Sequence, residues 1–155
     1  MPKAFSLICF LLCLSFLTDA QDQAERWSKW EAEADTLADH QDFAGATSLY
    51  TKIIRECKFT DKSDYRYIYK RAVSYYSANN FDSALVDMNR FIPFFPESPQ
   101  ARILRALIYR GKGDSENQLI DLQKAIELRG PTTELVDGEV LYSPTKVISR
   151  RLRKT

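Results

Sequence analysis

The chain has 155 residues, 45% of them hydrophobic and 28% charged, which is the length of one domain and the composition of a folded soluble protein. Lys and Arg number 22 against 21 Asp and Glu, so the formal net charge of +1 offers no global attraction to nucleic acid or to a membrane surface.

The first twenty residues read as a signal peptide. Lys3 supplies a short positive start and residues 4–17 form an uncharged apolar run, the length of a secretory core. Thr18-Asp19-Ala20 then offers small residues for cleavage before Gln21. A spanning helix needs about 20 apolar residues, so a retained anchor is the alternative reading. The residues before Cys9 and Cys13 are Leu7-Ile8 and Leu11-Leu12, without the small residues of a bacterial lipoprotein signal. The expected mature protein is therefore exported and unlipidated, periplasmic or secreted. Two of the 3 Cys leave with the signal, and Cys57 alone cannot form an intramolecular disulfide. The absence of an Asn-x-Ser/Thr glycosylation acceptor favours a bacterial envelope over a eukaryotic secretory route.

Residues 21–131 divide into three helical hairpins, over about 27–60, 65–98 and 99–131. The first starts near Trp27 and Trp30, continues through Ala34 and Leu37, and turns at Asp39-His40-Gln41-Asp42. It returns through Phe43, Ala46, Tyr50 and Ile53 to about Cys57, and a longer connector spans 58–64. The second places Ile68, Ala72, Tyr75 and Tyr76 at helical spacing, breaks at Asn79-Asn80, and resumes with Phe81, Ala84, Leu85, Met88, Phe91 and Ile92 before Pro93 and Pro96. The third carries Ile103, Ala106, Leu107 and Tyr109, turns at Gly111-Lys112-Gly113-Asp114, and continues with Leu119, Leu122, Ala125, Ile126 and Leu128. Gly130-Pro131 stops it.

Arg71 and Arg105 share a position in their units, and Asp87 and Asp121 follow each at the same distance. Each Arg is therefore predicted to pair with the Asp on the second helix of its own unit, fixing how the two helices pack. Over 132–155, Ser143-Pro144 suggests a helix start and Val147, Ile148 and Leu152 a short apolar stripe, together a C-terminal loop and capping helix. Asp137-Gly138 upstream suits either a hairpin turn or an irregular loop. Lys146, Arg150, Arg151, Arg153 and Lys154 make that end basic, either a solvated helix terminus or a contact for an acidic or anionic surface.

The units recur at intervals of about 38 and then about 34 residues, the span of a paired-helix repeat. Their residues resemble the tetratricopeptide repeat. The matching positions are Trp30, Ala34, Leu37, Ala46, Tyr50 and Ile53, then Ile68, Ala72, Tyr75, Ala84, Met88, Phe91 and Pro96, then Ala106, Tyr109, Leu122 and Ala125. Arg102 stands where that pattern has a large apolar residue, and Gln118 where it has an interior Ala. The resemblance implies an all-α right-handed superhelix of three helix-turn-helix repeats, closed by the C-terminal helix. It also implies a concave groove lined by the first helix of each repeat. The groove positions would be Glu31, Asp35 and Ala38, then Arg66, Tyr69, Val73 and Tyr76, then Ile103, Leu107 and Arg110. The carboxylate clamps of chaperone-binding members use Asn and Lys where this chain has Asp35, Val73 and Leu107, so that specificity is not implied.

Nothing in the pattern points to catalysis, to a cofactor or to a metal. His40 is the single His, and no Cys-x-x-Cys or His-x-x-x-His spacing occurs. Gly111-Lys112-Gly113 closes a helix and does not open one, unlike a phosphate loop. The expected function is an exported scaffold that binds a protein or peptide through the groove, with no nucleic acid involved. The alternative is a structural subunit fixed in a cell-envelope complex, and a hydrolase using groove carboxylates ranks third.

Overall fold

A computed structural model describes residues 2–130, with side chains from residue 21 onward. The described residues form six α-helices and no strand: α1 (Pro2–Asp39), α2 (Phe43–Glu56), α3 (Arg66–Ser77), α4 (Phe81–Phe91), α5 (Pro99–Lys112) and α6 (Ser115–Arg129). A 3-10 turn, Lys62–Tyr65, leads into α3. The expected capping helix and its basic residues Lys146, Arg150, Arg151, Arg153 and Lys154 lie outside the described residues, as do the side chains of the expected signal peptide. The chain divides into two compact units, Met1–Thr60 and Asp61–Thr155.

The first unit is the antiparallel pair α1 and α2. Helix α1 does not begin near Trp27, where the repeat pattern starts, but runs unbroken from Pro2. No Gly or Pro interrupts residues 3–44, and a stretch such as Glu31-Ala32-Glu33-Ala34 is rich in good helix formers. Ala34, Ala46, Tyr50 and Ile53 are at most 2% exposed and make the core. Farther up α1, the Trp27 indole N–H and an Arg26 guanidinium N–H both donate to Glu56 at the end of α2, at 3.0 and 2.9 Å. These two bonds, the indole's first, hold the Glu56 carboxyl below its ordinary value.

The second unit stacks two hairpins, α3–α4 and α5–α6, with α4 packed along α5 and α3 beside α5. Its core is Ile68, Ala72, Ala84 and Met88 in one hairpin and Ala101, Ala106, Ile108 and Ala125 in the other. Small residues with no exposed surface, such as Ala72 and Ala84, let paired backbones approach closely. At the junction of the hairpins, Phe81 of α4 fills the space over Gly111 of α5, where a Cβ would lie 2.5 Å from the ring. Lys112 also reaches across to pair with Asp82.

The three hairpin turns are copies of one another. The residue before each second helix is Asp42, Asn80 or Asp114, with φ of −81°, −85° and −88° and ψ of 71°, 70° and 81°. Each side chain accepts a hydrogen bond from the backbone N–H three residues on, at Gly45, Ser83 and Asn117. The residue before each cap is left-handed: Gln41 at φ 65°, Asn79 at 58° and Gly113 at 76°. Each first helix closes with the same backbone bond, from Asp42 to Leu37, Asn80 to Tyr75 and Asp114 to Tyr109, at 2.8, 2.8 and 2.9 Å. A left-handed residue beyond a helix end satisfies its last carbonyls, and a capping side chain satisfies the first amides of the next helix. One turn geometry thus serves three different sequences.

Candidate functional site

Two helix faces in the second unit gather the residues at the expected groove positions. On α3, Arg66, Tyr69, Val73 and Tyr76 recur at intervals of three and four, and so share one face. On α5, Ile103, Leu107 and Arg110 do the same. Val73 is 37% exposed, while Tyr69, Tyr76, Ile103 and Leu107 are half-buried and Arg66 and Arg110 exposed. The result is a partly accessible apolar and aromatic surface with a guanidinium on each helix, that of Arg66 donating to the Tyr67 hydroxyl and lying over its ring at 4.4 Å. Such an arrangement suits apolar side chains accompanied by carboxylates.

The aromatic members have second roles that the sequence did not announce. The Tyr69 ring packs against Phe91 of α4 with centroids 5.2 Å apart, and Tyr76 packs against Phe81 at 6.0 Å. Burial pushes the Tyr69 phenol above its ordinary value. These rings are therefore braced by α4 of the same hairpin. Val73 and Leu107 add aliphatic side chains to the same surface. Below Tyr69 the aromatics continue: Phe91 stacks on Phe95 at 4.5 Å, and Tyr65 lies 4.1 Å from Phe94.

In the first unit, Glu31, Asp35 and Ala38 are half-buried along α1. The Tyr50 hydroxyl, on α2, donates to the Asp35 carboxylate. Burial first, and then this bond and the nearby carboxylates Asp35, Glu31 and Asp39, raise the Tyr50 hydroxyl above its ordinary value. Asp35 therefore ties its own hairpin together, and the sequence gives no sign of that pairing.

The ion pairs lie behind the second unit's face. The Arg71 guanidinium forks onto Asp87, Nε to Oδ2 at 2.8 Å and Nη2 to Oδ1 at 2.7 Å. Arg105 forks onto Asp121 at 2.6 and 2.8 Å. Each guanidinium also lies over the tyrosine one turn later, Tyr75 at 5.7 Å and Tyr109 at 5.9 Å. Burial opposes the Arg71 charge, but the bonds and attraction from Asp87 outweigh it and hold the group above its ordinary value. For Arg105 the Asp121 bond exceeds the burial cost, with the same outcome. Arg102 joins as a third partner, Nη1 to Asp121 Oδ1 at 3.1 Å, so the guanidinium at a position of apolar pattern is held by a carboxylate that is 1% exposed. That role was invisible because Arg102 departs from the repeat.

Among the described residues no three His, Cys, Asp or Glu side chains converge as a metal site, and no helix is long and apolar enough to cross a membrane. The His40 ring Nδ1 lies 2.7 Å from the Thr36 carbonyl in the first turn, and Cys57 is buried at the end of α2. The chain matches no protein-family model and no curated protein sequence.

Proposed function

We propose that the chain is a tetratricopeptide-type scaffold, three hairpins of a right-handed superhelix, and that it binds a protein or peptide segment non-catalytically through its first-helix faces. The observation that carries this reading is the α3–α5 surface: Val73 exposed and Ile103 and Leu107 half-buried on the helix faces that also carry the braced Tyr69 and Tyr76, with Arg66 and Arg110 exposed there too. The threefold copy of the turn supports the repeat half of the reading. The apolar run over 4–17, followed by Thr18-Asp19-Ala20, supports export of the protein to a periplasmic or extracellular partner. The bound segment is apolar with flanking acidic residues. A terminal carboxylate is not required, since Val73 and Leu107 offer no donor.

A displayed random-peptide library tests this directly. Panning on the full chain enriches sequences with apolar residues flanked by Asp or Glu. Val73→Lys and Leu107→Lys, which place charge on the accessible surface without touching the braced rings, abolish their binding while the helical circular dichroism is retained. If no peptide is enriched, or the enriched peptides still bind both variants, the reading fails.

A further inference from the structure

The expected cleavage point and the first hairpin meet at Gln21. Residues 4–17 and Thr18-Asp19-Ala20 carry the secretory pattern, and a cut after Ala20 makes Gln21 the first residue of the mature chain. The hairpin tolerates that cut. Helix α2 is 14 residues long and ends at Glu56, where the bonds from Arg26 and Trp27 tie it to α1. The fully buried Ala34 lies farther along α1, toward the turn. Residues 21–25 therefore run on past the paired part of α1, and Gln21, Asp22, Ala24 and Glu25 are exposed.

From this placement we infer that the mature chain carries a modification site at its first residue, where Gln21 closes to a pyroglutamyl ring. The inference rests on the export half of the proposed function and is independent of the peptide surface. An N-terminal glutamine holds nucleophile and electrophile on one residue, so the reaction is intramolecular. The uncharged α-amino nitrogen attacks the side-chain amide carbon Cδ, and the new N–Cδ bond closes a γ-lactam. The Cδ–Nε2 bond breaks, and Nε2 leaves as ammonia with the proton that the α-nitrogen gives up. No oxidant or other reactant is consumed. An α-amino group titrates close to neutral pH, so the uncharged nucleophile is present there. The Gln21 side chain is exposed, and the ring closes without displacing a packed group. Helix α1 favours the product: its backbone is helical through this point, and a helix start disfavours the cationic amine that cyclisation removes. The product also lacks the free amine that an aminopeptidase requires, which protects the overhanging 21–25 stretch outside the cytoplasm.

Mass spectrometry of the exported protein tests the assignment. The full chain is expressed in a secreting host that supplies a glutaminyl cyclase, and the exported form is weighed intact at neutral pH. Its mass is expected to equal residues 21–155 less one ammonia, and the tryptic peptide 21–26 to carry the same deficit. A Gln21→Ala variant exported in parallel keeps its full mass and a free amine. A general aminopeptidase shortens that variant and leaves the native chain whole, whereas pyroglutamyl aminopeptidase releases the ring and exposes Asp22. A chain that starts at Gln21 with full mass and a free amine would overturn the inference while leaving export in place. A chain that starts at Met1, or at any other residue, would overturn it together with the cleavage reading. Equal trimming of the native chain and the variant would overturn it too.

Discussion

Replacing Asp121 with alanine strips one buried carboxylate from two guanidiniums at once. Asp121 accepts three hydrogen bonds, two from Arg105 at 2.6 and 2.8 Å and one from Arg102 at 3.1 Å, and is 1% exposed. Asp87 accepts two, both from Arg71. Removing one partner of a buried pair costs about 3–5 kcal/mol, chiefly because the remaining charge is left in a poor solvent. The Arg side chains keep 15–19% of their surface, so water recovers part of that charge. Asp87→Ala is thus expected near about 3 kcal/mol and Asp121→Ala near about 5, a large share of the roughly 5–15 kcal/mol that holds a small domain folded. Urea denaturation followed by circular dichroism reads both losses. A double replacement, Arg71→Met with Asp87→Leu, recovers most of the Asp87→Ala loss, since apolar groups of similar volume carry no stranded charge. Losses below about 1 kcal/mol for both alanine variants, the scale of a solvent-exposed pair, would refute the reasoning.

Further outcomes are expected at the turns, at the hairpin junction and at two hydrogen-bonded carboxyls. Gly111→Ala puts a Cβ 2.5 Å from the Phe81 ring and is expected to lower stability by about 1–3 kcal/mol, although alanine is the better helix former; a raised Tm would contradict the close packing. Gln41→Gly relieves a left-handed Gln at φ 65° worth about 1–2 kcal/mol and loses roughly 0.4–1 in chain entropy, so denaturation should show a small net gain. Gly113→Ala, at φ 76° in open space, should show a loss of about 1 kcal/mol, and equal signs for the two turn variants would contradict the shared turn geometry. The Asp114 carboxyl is held below its ordinary value by bonds from the Asn117 side chain and backbone, and Glu56 by Trp27 and Arg26. Carboxyls with depressed folded values stabilise the fold above their unfolded values and lose that contribution as pH falls through the folded ones, so Tm should fall below about pH 4. Asp114→Asn should flatten part of that fall, and an unchanged profile would contradict the assignment.

The hairpins were legible because their signals are local. Turn residues broke the helical spacing at Asp39–Asp42, Asn79-Asn80 and Gly111–Asp114, although the capping by Asp42, Asn80 and Asp114 emerged only in the folded chain. The spacing of Arg71 and Asp87 could be read because Arg105 and Asp121 repeat it; the guanidiniums and carboxylates then meet in the folded chain at 2.6–2.8 Å. Gln41 was legible only as part of a turn, since nothing in a glutamine announces a positive φ. The repeat pattern starts near Trp27 while α1 begins at Pro2, because that pattern marks where a hairpin pairs and not where its first helix starts. Pairs such as Tyr50 with Asp35, Arg102 with Asp121 and Trp27 with Glu56 do not recur between units, and without recurrence a sequence gives no hint of which distant groups meet.

On the proposed function, the α3–α5 face receives an apolar segment flanked by acidic residues. A backbone-amide NMR titration of the full chain with an acidic-flanked apolar peptide enriched by panning tests it most directly. Saturable shifts are expected to cluster at Tyr69, Val73, Tyr76, Ile103 and Leu107 and to leave the exposed residues Val86, Leu119 and Ile126 in place. Shifts concentrated on α4 and α6 instead, or none at saturating peptide, would contradict it.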